Sequence, residues 1–143
     1  MGVIIGPRVI DAGTSLLSVP ISPVPVAAGF PSPAQDYFDG RIDLNEHLIK
    51  DITSTYVVRV SGDSMEGAGI SDGDELIVNR ALEPRDGSVV VAVLDGELTI
   101  KRLRLTASGV VLQADNPRYP DIRVPGLSDL IIWGVATRCL HHV

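Results

Sequence analysis

Cysteine is nearly absent from this sequence, which removes the chemistry that depends on it. Cys139 stands alone among 143 residues, so no internal disulfide can form. With three scattered histidines it supplies no zinc site of the usual spacing. The expectation is a reducing, cytoplasmic setting with no metal or other cofactor. Positive charge is also scarce. Twelve Lys and Arg against eighteen Asp and Glu leave a net charge of -6 and a pI of about 4.9, without the basic footprint that a phosphate-backbone binder needs. Direct DNA binding is therefore not expected. Between Ala12 and Gln35 formal charge disappears altogether, a pattern that on hydropathy alone could pass for a membrane span or a signal peptide. Pro20, Pro23, Pro25, Pro31 and Pro33 would each remove a helix hydrogen bond, and Asp11 with the lack of a basic start spoils the signal pattern, so no anchor is expected.

The length suits one domain with a hydrophobic core plus an arm. Residues 1–28 alternate small, aliphatic and proline residues, a composition that favours extended backbone over a packed element. Such a tail could be disordered. Its many Val, Ile and Leu argue instead for an arm that docks as an added strand. After Pro33, Asp43 and Glu46 stand at capping-box spacing and predict a helix of two or three turns that ends near Asp51. His47 lies inside it and reads as a surface or packing residue.

No long helical period appears after Asp51. The runs TYVVRV, ELIV, SVVVAVL, ELTIKRLRL, VVLQA and DLIIWGVATRCL read as strands, separated by turn pairs at Asp72–Gly73, Asp95–Gly96 and Ser108–Gly109. The architecture expected is mainly β: a twisted, largely antiparallel sheet curled into a partial barrel. One short helix and an N-terminal arm complete it. Carboxylates Asp72 and Asp74 flank Gly73 as ordinary turn residues. In the last strand Trp133 and Cys139 share parity and read as core or interface residues, and His141 and His142 as exposed tail.

The connection between the first two of these strands, SGDSMEGAGISDGD, is too elaborate for a simple turn, and Ser64 stands at its centre. A serine hydroxyl is a weak nucleophile until a base activates it, and no Asp/His/Ser constellation suggests itself. Lysine can serve. In ELTIKRLRLT, strand parity places Thr99, Lys101, Leu103 and Leu105 on one face and Leu98, Ile100, Arg102 and Arg104 on the other. Lys101 thus faces apolar company, where desolvation favours the neutral amine over the ammonium. Read alone, Lys101 equally fits a side chain that snorkels to water, and SGDSM equally fits a polar turn.

The runs SGDSMEGAGISDGDELIV, AAGFPSPAQDY, RIDLNEHLIK and DGELTIKRL, in this order, resemble the UmuD family, the self-cleaving accessory subunits of an error-prone DNA polymerase. These are related to the catalytic domains of LexA and phage repressors. The resemblance covers about Ala28 to the C-terminus. It implies a serine endopeptidase with a Ser/Lys dyad, in which Ser64 is the nucleophile, Lys101 the general base and acid, and the backbone N–H groups of Asp63 and Ser64 the oxyanion hole. The scissile bond falls between Ala28 and Gly29, dividing an arm, 1–28, from a peptidase-like β domain, 29–143. UmuD itself has cysteine before that glycine, and LexA-type repressors have alanine, as here. The resemblance further implies a homodimer, stimulation by the RecA filament on damaged DNA, and a product that joins a UmuC-type translesion polymerase. Two other readings fit the same residues. One is a non-catalytic dimerisation and polymerase-docking module, and the other a signal-peptidase-like protease that acts on other proteins.

Overall fold

The computed structural model describes residues 18–30, 40–126 and 129–143. They fall into two units that divide between Leu48 and Ile49. In the first unit, β1 (Val19–Ile21) pairs antiparallel with β2 (Gly40–Ile42). Arg41 ties the pair by donating from Nε to Ser18 Oγ at 3.1 Å and from Nη2 to the Ser18 carbonyl. Of the described part of the arm, Val19–Ile21 pairs as a strand and the rest up to Ala28 does not; residues 1–17 lie outside the described residues. The helix α1 spans only Leu44–Leu48. Asp43 caps it as expected, accepting the Asn45 N–H at 2.9 Å. It stops well short of two or three turns because Asp51 organises a turn of its own. The Asp51 carboxylate accepts from the Thr53 N–H and hydroxyl, and its carbonyl accepts from Thr55 Oγ1. Ala28 and Gly29 lie in an exposed, non-strand stretch between β1 and β2.

The second unit is one open seven-stranded sheet. Its strands are β3 (Thr55–Arg59), β4 (Glu75–Asn79), β5 (Val89–Leu94), β6 (Glu97–Thr106), β7 (Gly109–Gln113), β8 (Ile122–Val124) and β9 (Leu130–Leu140), in the order β3-β4-β9-β5-β6-β7-β8. Every pairing is antiparallel. The largely β, antiparallel expectation holds, and the sheet does not close into a barrel, since β3 and β8 are its two edges. The apolar run of β5 explains where the core sits. Val91 belongs to one buried cluster, with Val60, Met65, Ile70, Leu76 and Val78. Its neighbours Val90 and Ala92 belong to another, with Leu103 and Leu112. Successive side chains point to opposite faces, so an unbroken apolar strand is one buried on both. The Asp95–Gly96 turn has φ of 49° and 84°, the left-handed pair that a type I′ hairpin requires.

The C-terminal edge adds detail to the sequence reading. Trp133 is 48% exposed, and Cys139 packs partly buried against the first cluster. His141 is exposed as expected, yet anchored: its Nδ1 sits 2.7 Å from Oδ1 of Asp74, a carboxylate only 3% exposed. A buried carboxylate needs partners, and Asp74 takes the Ser71 N–H and the Cys139 thiol as well. The Ser71 N–H first, then His141, hold the Asp74 carboxyl below the usual range. Burial, reinforced by Asp74, pushes the Cys139 thiol up to about 11.

Candidate active site

The loop between β3 and β4 presents Ser64. Its entry is fixed at Gly62, where φ is 95°, a conformation that a side chain would strain. The Gly62 N–H donates to Asp72 Oδ1 at 2.7 Å, so the Asp72–Gly73 turn braces the serine turn from the far end of the same loop. The loop's exit is a short 3-10 helix, Glu66–Ala68, closed by Gly69 in the left-handed conformation. Between them Met65 is only 2% exposed and packs in the first core cluster. Burying Met65 holds its neighbour Ser64 at the surface of that cluster.

Strand β6 brings the second group. Lys101 Nζ lies 3.3 Å from Ser64 Oγ, 2.9 Å from Thr99 Oγ1 and 3.1 Å from the Ile100 carbonyl. Its pKa is lowered by burial alone. In the neutral form, an amine has two N–H donors and one lone pair. Thr99 and Ile100 take the two donors, which leaves the lone pair for the Ser64 hydroxyl. The geometry therefore suits proton transfer from Oγ to Nζ. Both side chains line a cleft of about 280 Å³ whose other walls include Val58, Val60, Val91, Leu98 and Ile100. That apolar wall keeps the amine desolvated. A larger depression of about 530 Å³, beside Tyr56, Arg80 and Trp133, does not contain the serine and lysine.

Ser64 and Lys101, singled out in the sequence, are thus brought together, and parity correctly sends Leu103 into the core while Leu105, near the strand's end, is half exposed. Among the described residues the Ser64 N–H meets no protein acceptor. Ala28 and Gly29 belong to the other unit. Sequence reasoning missed several contributors. Thr99 shares parity with Lys101, a signal present in the strand. Asn116, Arg118 and Tyr119 gave none. Asn116 Nδ2 donates to the Asp63 carbonyl at 2.9 Å, and Arg118 and Tyr119 each bond one oxygen of the Asp63 carboxylate. The Tyr119 bond first, with Arg118 adding, holds the Asp63 carboxyl below the usual range. Among the described residues no group of His, Cys, Asp and Glu is arranged to hold a metal. No helix there is long and apolar enough to cross a membrane.

Residues 20–137 match the family model described as Peptidase S24-like. The chain is 42% identical over 114 residues to Protein SamA of Salmonella typhimurium, covering 80% of this chain and 79% of that protein. It is 40% identical to Protein MucA of Escherichia coli, over 86% and 84% of the two chains. A LexA repressor from Delftia acidovorans is 46% identical over 78% of this chain, a match that spans 49% of the repressor. With a serine and a half-buried lysine meeting in one cleft and most of its length covered by that model, the chain belongs to the Peptidase S24-like family.

Proposed function

We propose that this protein is a self-cleaving serine peptidase of the UmuD type, which cuts its own chain between Ala28 and Gly29. The observation that supports it most is the 3.3 Å separation of Lys101 Nζ from Ser64 Oγ, with both remaining amine donors occupied. Neutral Lys101 takes the Ser64 proton as Oγ attacks the Ala28 carbonyl carbon. The tetrahedral oxyanion is met by the N–H groups of Asp63 and Ser64. The lysinium then gives its proton to the Gly29 nitrogen as the C–N bond breaks. Water, deprotonated by Lys101, hydrolyses the Ala28 ester and restores Ser64. Ala27, Ala28 and Gly29 offer little bulk to obstruct the approach of an extended peptide, and all three are exposed.

Because the substrate is a segment of the same chain, affinity is replaced by effective concentration, and the rate follows how often the segment occupies the cleft. The similarity to SamA, MucA and a LexA repressor supports a cytoplasmic homodimer stimulated by the RecA filament after DNA damage. Its product, beginning at Gly29, serves as accessory subunit to a UmuC-type translesion polymerase.

Burial lowers the Lys101 pKa from 10.5, so cleavage rises with pH as the amine loses its proton, at a lower pH than a solvated lysine would allow. Incubation of the purified full chain at alkaline pH, followed by intact mass spectrometry, is expected to release a fragment that begins at Gly29. Ser64→Ala is expected to stay whole. Wild-type protein as inert as Ser64→Ala would overturn the reading in favour of a non-catalytic docking module. Cleavage of an added VPVAAGFPS peptide without self-cleavage would favour a protease acting on other chains.

A further inference from the structure

One short segment, Asp115–Tyr119, grips the serine turn on both sides. Asn116 is only 8% exposed. Its carbonyl and Oδ1 accept the N–H groups of Tyr119 and Arg118, both at 3.0 Å. That internal wrapping sends the Arg118 and Tyr119 side chains to opposite oxygens of Asp63, while Asn116 Nδ2 holds the Asp63 carbonyl at 2.9 Å. On the other side of Ser64, the Gly67 N–H donates to the Asp115 carbonyl at 2.6 Å. The Asp115 carboxylate in turn pairs with Arg102, the residue after Lys101, at 2.7 Å.

A trans peptide unit makes the consequence specific. The Asp63 carbonyl and the Ser64 N–H belong to one plane and point in opposite directions. Whatever fixes the carbonyl therefore aims the N–H. Within its own turn that carbonyl accepts the Glu66 N–H at a long 3.3 Å, and the shorter Asn116 bond at 2.9 Å tightens the aim.

We propose that Asn116, Arg118 and Tyr119 are positioning residues for the Ser64 reaction: acting through the carbonyl and carboxylate of Asp63, they hold the Ser64 N–H toward the developing oxyanion. The proposal rests on the reading of Ser64 as nucleophile given above. None of the three touches the reacting atoms.

The test follows first-order self-cleavage of the full chain against pH, with melting temperatures recorded for each variant. Asn116→Ala is expected to lower the plateau rate about 10²-fold, the usual cost of one oxyanion donor, and Arg118→Ala about 10-fold. The pH midpoint should stay at the wild-type value, because the Thr99 and Ile100 partners of Lys101 are untouched. Arg118→Lys should recover the rate to within about threefold, since a cation again meets Asp63. Arg118 is an exposed residue, so its variants keep the test available if Asn116→Ala folds poorly. Plateau rates at the wild-type level, or a loss accompanied by a moved pH midpoint, overturn the proposal. If wild-type protein is not cut at all, the nucleophile reading fails, and amide exchange on Ser64→Ala chains still decides the positioning. Adding Arg118→Ala there should speed exchange over residues 62–66 about 10-fold and little elsewhere; unchanged exchange would reject the brace.

Discussion

As the proposed base, Lys101 answers two opposed demands, because the burial that favours its neutral form also makes it a burden on the fold. The folded-state pKa lies below the unfolded value of 10.5. Below the folded pKa both states hold the proton, and the folded chain bears the full cost of a desolvated ammonium. As pH rises between the folded and unfolded values, the unfolded chain still holds a proton that the folded chain has shed, so stability climbs. A neutral side chain of similar length removes the cost at every pH. On a Ser64→Ala background, Lys101→Met is therefore expected to raise the melting temperature at pH 7. It should also flatten the gain that the parent shows on going to alkaline pH. Thermal melts from pH 6 to 10 measure both, and a Lys101→Met chain that melts lower at pH 7 would show that the ammonium is well solvated. Such a trade of stability for reactivity is common at functional sites. At this scale the serine and lysine were legible, one in a glycine-rich connection between strands and the other on β6, although the apolar wall beside Lys101 includes Leu98 and Ile100 of the opposite parity rather than Leu103 and Leu105. Asn116, Arg118 and Tyr119 were not, since they reach Asp63 across 53 to 56 positions. No local period encodes a contact of that span.

Strand β9 sets the sheet's order by lying between β4 and β5, and it does so with register shifts against both. Gly134 sits where β9 is tightly packed against its neighbours. A Cβ there would meet Val78 Cγ1 at 2.6 Å, with the Asn79 carbonyl and the Tyr56 hydroxyl both at 3.3 Å. Val78 is completely buried and has nowhere to move. Gly134→Ala is accordingly expected to cost about 1–3 kcal/mol, the range for overpacking a tight core. Denaturant melts on a Ser64→Ala background would register it, and an unchanged midpoint would mean that β9 can shift. Six of the seven strands of this sheet announce themselves through β-rich runs and turn pairs, because hairpins are specified locally. The three-residue β8, bounded by Asp121 and Pro125, offers too short a run to stand out. The insertion of β9 between β4 and β5 is likewise silent in the sequence, since pairing order depends on contacts far apart in the chain. The helix α1 was legible in its cap and not in its length, which the competing Asp51 turn decides.

The proposed cleavage between Ala28 and Gly29 would divide the chain within the first unit, twenty residues ahead of the boundary at Leu48. Among the described residues, every member of the two buried clusters lies at Val60 or beyond. The hydrophobic stabilisation that those clusters supply therefore does not depend on the segment removed. What the proposed cut would remove is β1, which has its three-residue pairing with β2 and no buried side chain. A two-stranded pairing of that size contributes little by itself. The shortened chain, 29–143, is thus expected to unfold cooperatively with a melting temperature within about 4 °C of full-length Ser64→Ala, a shift that corresponds to roughly 1 kcal/mol in a domain of this length. Calorimetry on the two chains side by side measures it. A product that melts far lower would mean that the arm is a structural strut whose loss inactivates the protein. Near-equal stability would mean that the cut changes what the surface presents while leaving the seven-stranded sheet intact, as the proposed role of the product requires.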